Sequence, residues 1–126
     1  MDLPESLRYT RDHEWVRAED GEAVVGITAY AAEELGDVVF VELPEIGRKL
    51  TRDETFGVIE SVKTASDLFA PVAGEVVAIN DALGDDPELV NSEPYEGGWM
   101  VRLRLDDPAA ADALMDAAAY RESVGG

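Results

Sequence analysis

The stretch Glu60-Ser61-Val62-Lys63-Thr64-Ala65-Ser66-Asp67 predicts a β-hairpin with a lysine at its tip. It lies between two β-prone apolar segments, and we expect strands over residues 56–61 and 66–69. A hairpin of this kind needs further strands to cover its apolar face, so it predicts a mainly β fold. The lysine would project from the rigid end of that fold.

The predicted register of this hairpin places like charges opposite each other. Pairing Ser61 with Ser66 leaves Lys63 and Thr64 as a two-residue loop. The same register sets Glu60 across from Asp67. Two carboxylates in directly opposed positions cost up to about 1 kcal/mol, so we expect that another molecule recognises them.

Lysine is nearly absent from the rest of the chain. Of the ten basic residues, eight are arginine, and the lysines are Lys49 and Lys63. Arginine can replace lysine as a surface charge but not as an acylatable amine. The hairpin context therefore makes Lys63 the candidate for covalent modification, whereas Lys49 has no such context.

The chain is strongly acidic, with a net charge of -18 from 28 acidic and 10 basic residues. This charge disfavours binding to nucleic acid and to anionic membranes. Abundant acids with few lysines predict a protein that works in concentrated salt. No apolar run is long enough for a membrane span, and the first residues lack the pattern of a signal peptide, so we expect a cytoplasmic monomer.

The residue types argue against an enzyme. The chain has one histidine, His13, and no cysteine, so it lacks the common nucleophile–base pairs. Acidic pairs at 85–86 and 106–107 are better read as loop and cap carboxylates than as metal ligands. We therefore predict neither a catalytic centre nor a metal site.

Other patterns outline the remaining elements. Thr28 is an expected N-cap for a short helix that ends at Gly36. Residues 36–41 and 74–79 repeat a glycine, acid, Val-Val pattern, which predicts two similar halves. The other predicted elements are a hairpin over 13–18 and 23–27, a strand over 38–41 covered on both faces, strands over 75–79 and 99–105, a loop over 81–98, and a C-terminal helix over about 108–121.

Several of these motifs, in order along nearly the whole chain, resemble the H proteins of the glycine cleavage system. The hairpin around Lys63 is similar to their lipoylation motif. The other similar segments are Leu7-Arg8-Tyr9, His13-Glu14-Trp15-Val16, Val25-Gly26-Ile27-Thr28, residues 35–44, residues 70–76, residues 89–95 and Gly97-Gly98-Trp99-Met100.

The resemblance implies a barrel-sandwich hybrid fold over 1–126, a flattened barrel with a core at about 7–106 and a lipoyl group in amide linkage to Lys63. It implies a non-catalytic carrier that takes an aminomethyl group from glycine decarboxylase, a pyridoxal phosphate enzyme, to an aminomethyltransferase that uses tetrahydrofolate. Dihydrolipoamide dehydrogenase would reoxidise the arm. A lipoate ligase or octanoyltransferase would attach it.

The resemblance also implies which residues surround the arm. A cleft poor in water would protect the loaded arm, and carboxylates would hold its protonated amine. Histidines are frequent in the family's helix after Gly-Ile-Thr, whereas this chain has Tyr30 and Glu34 there. We expect Glu34 to take the place of such a histidine. The cleft candidates are Glu14, Asp67, Asp12, His13 and Glu34. The candidates for recognition by the lipoylating enzyme are Glu60, Val62 and Thr64.

Other interpretations remain open at this level. A lipoyl carrier could pass its group to 2-oxoacid dehydrogenases rather than serve glycine cleavage. Biotin carriers usually flank their lysine with methionines, whereas this chain has Val62 and Thr64. An unmodified acidic interaction domain is the third alternative.

Overall fold

The computed structural model describes residues 3–125, and within that range the protein is mainly β. Residues 1, 2 and 126 of the expected domain lie outside the described part. The strands are β1 (Arg8–Tyr9), β2 (Glu14–Glu19), β3 (Glu22–Ile27), β4 (Val38–Glu42), β5 (Lys49–Leu50), β6 (Thr55–Ser61), β7 (Ala65–Phe69), β8 (Gly74–Ile79) and β9 (Val101–Leu105).

These strands form two antiparallel sheets that enclose the main core. The larger sheet has the order β1-β2-β3-β9-β8-β5, and the smaller has the order β4-β6-β7. Val25 and Leu103 of the larger sheet share one apolar cluster with Ile59 and Leu68 of the smaller sheet. The arrangement confirms the expected mainly β, barrel-sandwich type of fold, with sheets that stay separate instead of closing into one barrel.

Strand β4 corrects one expectation. It is an edge strand of the smaller sheet, and a bulge interrupts its pairing with β6 between Val38 and Phe40. Val39 and Phe40 are therefore both about half exposed, at 52% and 51%. The expectation that residues 38–41 are covered on both faces is wrong, because no segment within 3–125 forms a further layer over the outer face here.

The register of the lysine hairpin also differs from the expected one. Glu60 pairs with Ala65, and Asp67 pairs with Val58. The loop is consequently Val62-Lys63 and not Lys63-Thr64. The predicted opposition of Glu60 and Asp67 is wrong, since pairing is shifted by two residues and the two carboxylates are diagonal neighbours.

Helix α1 (Ala29–Leu35) forms as expected between β3 and β4. The Thr28 hydroxyl accepts a hydrogen bond from the Ala31 N–H at 3.2 Å and so caps the first turn. Gly36 ends the helix with a φ of 79° and a ψ of -160°, a conformation that is nearly exclusive to glycine.

The segment 81–98 is more ordered than a loop. It contains two one-turn helices, α2 (Ala82–Asp85) and α3 (Leu89–Ser92). Leu83 and Val90 anchor them in the core. Each helix is too short to show a 3.6-residue apolar period, which explains why the sequence pattern did not reveal them.

The C-terminal segment corrects the expected helix over 108–121. A 3₁₀ helix (Ala110–Ala113) is followed by an extended Leu114, and α4 (Ala117–Ser123) starts only after the Asp116 cap. Backbone hydrogen bonds of 2.8 and 3.0 Å join Met115 to Tyr9 and break the helical run. The core also reaches past the expected limits of 7–106, since Leu3, Ala111 and Tyr120 are buried.

Candidate functional site

Lys63 occupies the tip of the β6–β7 hairpin and is exposed. The loop is closed by the Ser61 N–H, which donates to the Thr64 carbonyl at 2.8 Å. The Ser61 hydroxyl oxygen accepts the backbone N–H groups of Lys63 at 3.3 Å and Thr64 at 3.2 Å. One serine side chain thus satisfies the backbone of a turn that lacks the glycine or asparagine of common two-residue loops.

The hairpin tip rests on the corner between α1 and β4. The Val62 N–H donates to the Asp37 carbonyl at 3.0 Å. The aliphatic part of the Lys63 side chain lies against Gly36, where a built Cβ would stand 3.4 Å from the lysine Cε. The root of the lysine is therefore held on a fixed platform while its amine remains accessible.

Asn91 of α3 braces this corner from the opposite side. Its Oδ1 accepts the Val38 N–H at 2.9 Å, and its Nδ2 donates to the Gly36 carbonyl at 2.8 Å. These contacts flank Asp37, whose carbonyl holds the hairpin tip. Sequence reasoning missed Asn91, because a single asparagine in a polar stretch gives no local signal of a contact 53 residues away.

A cleft of about 290 Å³ opens beside the hairpin, between α1, β7 and the turn before β2. Its apolar wall includes Ile27, Leu35, Ile59 and Leu68. The structure brings all five expected cleft residues to this cleft, although they come from three separate segments: Asp12, His13, Glu14, Glu34 and Asp67.

Glu14 is the buried carboxyl group of the cleft, with 2% exposure. Its Oε1 accepts the Thr10 hydroxyl at 2.7 Å, and its Oε2 accepts the Phe69 N–H at 3.4 Å. Burial raises the pKa of Glu14 to about 7, helped by the negative charges of Asp12 and Asp53 and opposed by the two hydrogen bonds. Glu14 can therefore exchange a proton near neutral pH.

His13 is held in place at the edge of the same cleft. Its φ of 69° is unusual for a residue with a side chain. Its Nδ1 lies 2.7 Å from the Tyr120 hydroxyl, and its ring packs on Tyr30 at 4.8 Å. Burial lowers the pKa of His13, although the charges of Asp12 and Glu34 oppose this shift.

Tyr120 of α4 connects the C-terminal helix to the cleft, and sequence reasoning missed it. Its hydroxyl lies 2.9 Å from the Thr28 Oγ1, so it links the helix cap of α1 to His13. Its ring stacks on Tyr9 at 4.9 Å, and burial raises the pKa of Tyr120 to about 12. No sequence motif marked it, since the link spans 107 residues from His13.

The three residues expected to guide a lipoylating enzyme do not lie together on one wall. Thr64 lines the cleft. Glu60 is exposed and pairs with Phe40 of the edge strand. Val62 is 71% exposed beside Lys63. Glu60 and Val62 therefore belong to the outer approach to the lysine.

No group of three or more His, Cys, Asp or Glu side chains among residues 3–125 is placed to hold a metal ion. No helix in the same range combines the length and apolar character that a bilayer span requires.

Comparison with known proteins gives one consistent result. A family model described as "Glycine cleavage H-protein" matches residues 7–125. A glycine cleavage system H protein of Anaeromyxobacter sp. (strain K) is 53% identical over 124 residues, which cover 98% of this chain and 97% of that protein. One of Bacillus cereus (strain AH187) is 55% identical over 122 residues, with 97% and 96% coverage. A crystal structure of a glycine cleavage system H protein from Mycobacterium marinum aligns with a TM-score of 0.90, at 40% identity and with 98% and 100% coverage.

Proposed function

Since the chain belongs to the glycine cleavage H-protein family, we propose that it carries lipoate on Lys63 and shuttles an aminomethyl group between the enzymes of that system. As an H protein it is a lipoyl carrier and a non-catalytic subunit. The proposed partners are glycine decarboxylase, the aminomethyltransferase, dihydrolipoamide dehydrogenase and a lipoate-attaching enzyme. We further propose that residues 1–126 form one carrier domain that works in the cytoplasm.

The single observation that carries this proposal is the position of Lys63. It stands on a braced hairpin tip immediately beside a cleft with an apolar wall and several carboxylates. The exposed amine suits amide formation, and the apolar wall suits the hydrocarbon chain of a lipoyl group. When bound, lipoate supplies a disulfide that accepts electrons and a thiol that carries the one-carbon unit.

The residues of the cleft suit the loaded arm. An amine on the arm would be protonated at neutral pH, and Glu14 could give up its proton to form a charge-assisted hydrogen bond with it. Asp12, Asp67 and Glu34 add negative potential at the entrance. Ile59 and Leu68 exclude water from the same space, which protects a group that water would hydrolyse. A fixed root with a mobile arm also raises the effective concentration at each partner site.

Lys63→Arg tests the attachment point. The substitution keeps the positive charge but removes the acylatable amine. After expression with a lipoylating enzyme, mass spectrometry should find the lipoyl adduct on wild type and none on the variant. Glycine–bicarbonate exchange with the decarboxylase should fall to the level of unmodified carrier.

Lys49→Arg is the matched control, since it changes the remaining lysine of the sequence in the same way. It should be lipoylated and active like wild type. A lipoyl group found on Lys63→Arg, or a biotin adduct on wild type, would overturn the proposal. Circular dichroism of both variants excludes unfolding as the cause of any loss.

Glu60→Ala tests the recognition of the hairpin by the lipoylating enzyme. Glu60 is exposed on the outer approach to the lysine, so its removal should slow lipoylation without affecting stability. Initial rates of adduct formation provide the measurement. A variant lipoylated at the wild-type rate would remove Glu60 from this role.

A further inference from the structure

Exposed apolar side chains gather on the outer surface beside the lysine hairpin. Among residues 3–125, the large apolar side chains that are exposed are Val39, Phe40, Ile46 and Val62. Ile46 lies in the loop after β4, at the end of that strand farther from the hairpin tip. Val39, Phe40 and Val62 lie together at the near end, and we call these three residues the apolar strip. Clustered apolar residues on a surface, unlike single ones, mark sites of interaction.

The pairing of β4 with β6 brings the three side chains of the apolar strip together. The bulge in β4 sets both Val39 and Phe40 opposite Glu60. Val62 follows two residues after Glu60, so the alternation along β6 directs it to the same face. The Val62 N–H also donates to the Asp37 carbonyl at 3.0 Å, which fixes it beside the start of β4. Strand pairing therefore holds the apolar strip in place.

The amine of Lys63 lies beside the apolar strip. A Cβ built on Gly36 would stand 3.4 Å from the lysine Cε and 3.9 Å from its Nζ, so the side chain leans over the corner where β4 begins. The residues that line the cleft include neither Lys63 nor Val39, Phe40 and Val62. The unmodified amine is thus presented outside the cleft, next to an exposed apolar surface.

Acidic side chains border the apolar strip. Glu60 is exposed opposite Phe40, and Glu42 is exposed two residues after Phe40 on β4. Arg48 lines a surface pocket together with Glu42, but it is already paired with Glu54 at 2.8 Å. A partner that fits this surface therefore presents an apolar depression with basic side chains at its edge.

The place of the apolar strip distinguishes among the enzymes of the proposed function. Those that load, unload or reoxidise the arm act at its sulfur end, which extends well beyond the lysine. They can reach that end where the arm leaves the cleft, without covering the strip. An enzyme that attaches lipoate must instead reach Nζ of the unmodified lysine, which lies within a side chain's length of the hairpin backbone. Its reaction therefore requires close contact with the surface around the tip, where the strip lies.

We propose that the apolar strip is the docking surface of the lipoate-attaching enzyme, with Phe40 as its main anchor. This inference rests on the proposed function, since it requires that Lys63 is acylated. The apolar depression of the enzyme covers Phe40 and Val62, and basic side chains at its edge meet Glu42 and Glu60. Nζ then loses a proton and forms an amide bond with the carbonyl carbon of an activated acyl group, a mixed anhydride or a thioester, whose leaving group departs.

Phe40→Ala tests the anchor in the unmodified carrier. Ile46→Ala is the matched control, because Ile46 is 64% exposed at the far end of β4. The KM for carrier is measured with the lipoate-attaching enzyme of the same organism. Phe40→Ala should raise this KM roughly tenfold, whereas Ile46→Ala should stay within about twofold of wild type. The increase should persist in about 1 M KCl, because apolar contacts are not screened by salt.

Two further measurements separate docking from other effects of Phe40→Ala. Acetylation of Lys63 by N-hydroxysuccinimidyl acetate, followed by peptide mapping, should be as fast as in wild type, since the amine keeps its place. After complete lipoylation in a prolonged incubation, the variant should be loaded, unloaded and reoxidised by the other enzymes with KM values within about twofold of the control.

A lipoylation KM of Phe40→Ala within about twofold of Ile46→Ala would overturn the inference and leave the proposed function intact. Slower chemical acetylation would also overturn it, by showing a displaced lysine. An equal rise in KM for the other enzymes would do the same, by showing a surface that all partners share. Failure of wild type to be lipoylated at Lys63 would instead overturn the proposed function itself. Val39→Thr, which keeps the branched shape, repeats the comparison under the same criteria if Phe40→Ala unfolds.

Discussion

At the scale of single residues, the unusual group is Glu14. Its carboxyl is buried at the start of β2, and burial raises its pKa to about 7. The folded protein therefore keeps a proton on Glu14 in a pH range where the unfolded chain, with a value near 4.5, has lost it. Stability contributed by this residue is present at low pH and declines as pH rises through that window.

Glu14→Gln should consequently stabilise the unmodified carrier at about pH 8, by about 1–3 kcal/mol. The neutral amide fills the same space, and its N–H₂ can donate to the Thr10 hydroxyl oxygen. The gain should vanish near pH 4, where Glu14 is protonated in both states. Urea unfolding of wild type and variant across this range measures the difference.

A matched control is Glu45→Gln, which removes an exposed carboxyl elsewhere. It should show no comparable dependence on pH. An equal gain for Glu14→Gln at low and high pH would contradict the raised pKa. Glu14→Gln should also release the loaded arm to water more readily, because the protonated amine on the arm would lose its charged partner.

At the scale of elements, the smaller sheet, α1 and α3 are joined at the corner below the lysine. The Asn91 side chain forms hydrogen bonds to the backbone on both sides of Asp37, at Gly36 and Val38. The Asp37 carbonyl in turn accepts the Val62 N–H. Another asparagine, Asn80, is buried and braces the segment before β9 through bonds of 2.8 Å to the carbonyls of Gly97 and Trp99. Substituting Asn91 and Asn80 in turn separates an effect on stability from an effect on the position of the hairpin tip.

Asn91→Ala should lower the free energy of unfolding by about 1–3 kcal/mol, because the Val38 N–H and the Gly36 carbonyl lose their partner. It should also slow lipoylation severalfold, since the hairpin tip loses its platform. Asn80→Ala should cost similar stability but leave the rate of lipoylation unchanged. Equal effects of the two variants on that rate would show that Asn91 acts through stability alone.

Tyr120→Phe tests the link between α4 and the cleft. The variant keeps the ring on Tyr9 but removes the hydroxyl that meets His13 and Thr28. We expect a loss of about 1–2 kcal/mol in urea unfolding, because the partly buried His13 ring loses its partner and the buried Thr28 hydroxyl keeps only the Ala31 N–H. Tyr30→Phe, which keeps the ring beside His13, is the control and should lie close to wild type.

At the scale of the whole molecule, the feature that matters most for stability is the net charge. The net charge is -18, and the ion pairs found among residues 3–125 join partly exposed side chains. Pairs of this kind contribute about 0–1 kcal/mol each. Repulsion among the remaining carboxylates therefore opposes the compact state when salt is low.

The midpoint of thermal unfolding should accordingly rise with KCl from about 0.1 M to about 2 M, as the screening length falls to a few ångströms. A variant with Glu45→Gln, Asp85→Asn and Glu122→Gln, all exposed positions, should be more stable at low salt and respond less to KCl. An unchanged midpoint for wild type across this range would contradict the expectation of a protein adapted to concentrated salt.

Much of the fold follows from local patterns. The hairpin at Lys63, the Thr28 cap and the Gly36 stop are all present in the structure. The predicted repeat also has a structural counterpart: β4 carries a bulge between Val38 and Phe40, and β8 carries one 38 positions later, between Val76 and Ala78. Two similar strands thus bend in the same place, one in each sheet.

Two of the wrong predictions trace to specific contacts. The helix over 108–121 has good local propensity, yet Met115 pairs with Tyr9 and interrupts it. The observed register of the lysine hairpin differs by two residues from the predicted one, because the Ser61 hydroxyl accepts the backbone N–H groups of the turn. No strand pattern reveals such a bond. In the first case a contact between distant segments won over helix propensity. In the second, a local side-chain bond fixed the turn.

The sequence by itself determined the type of element along most of the chain, the lysine at a hairpin tip and the residue types of the cleft, since these depend on neighbours and spacing. Only the tertiary structure decided that Glu14 is buried beside Thr10 and that Asn91 braces the hairpin tip. Burial and proximity depend on how distant segments pack. Burial sets the pKa of the Glu14 carboxyl, and proximity sets the position of the hairpin tip. Neither can be read from the local sequence.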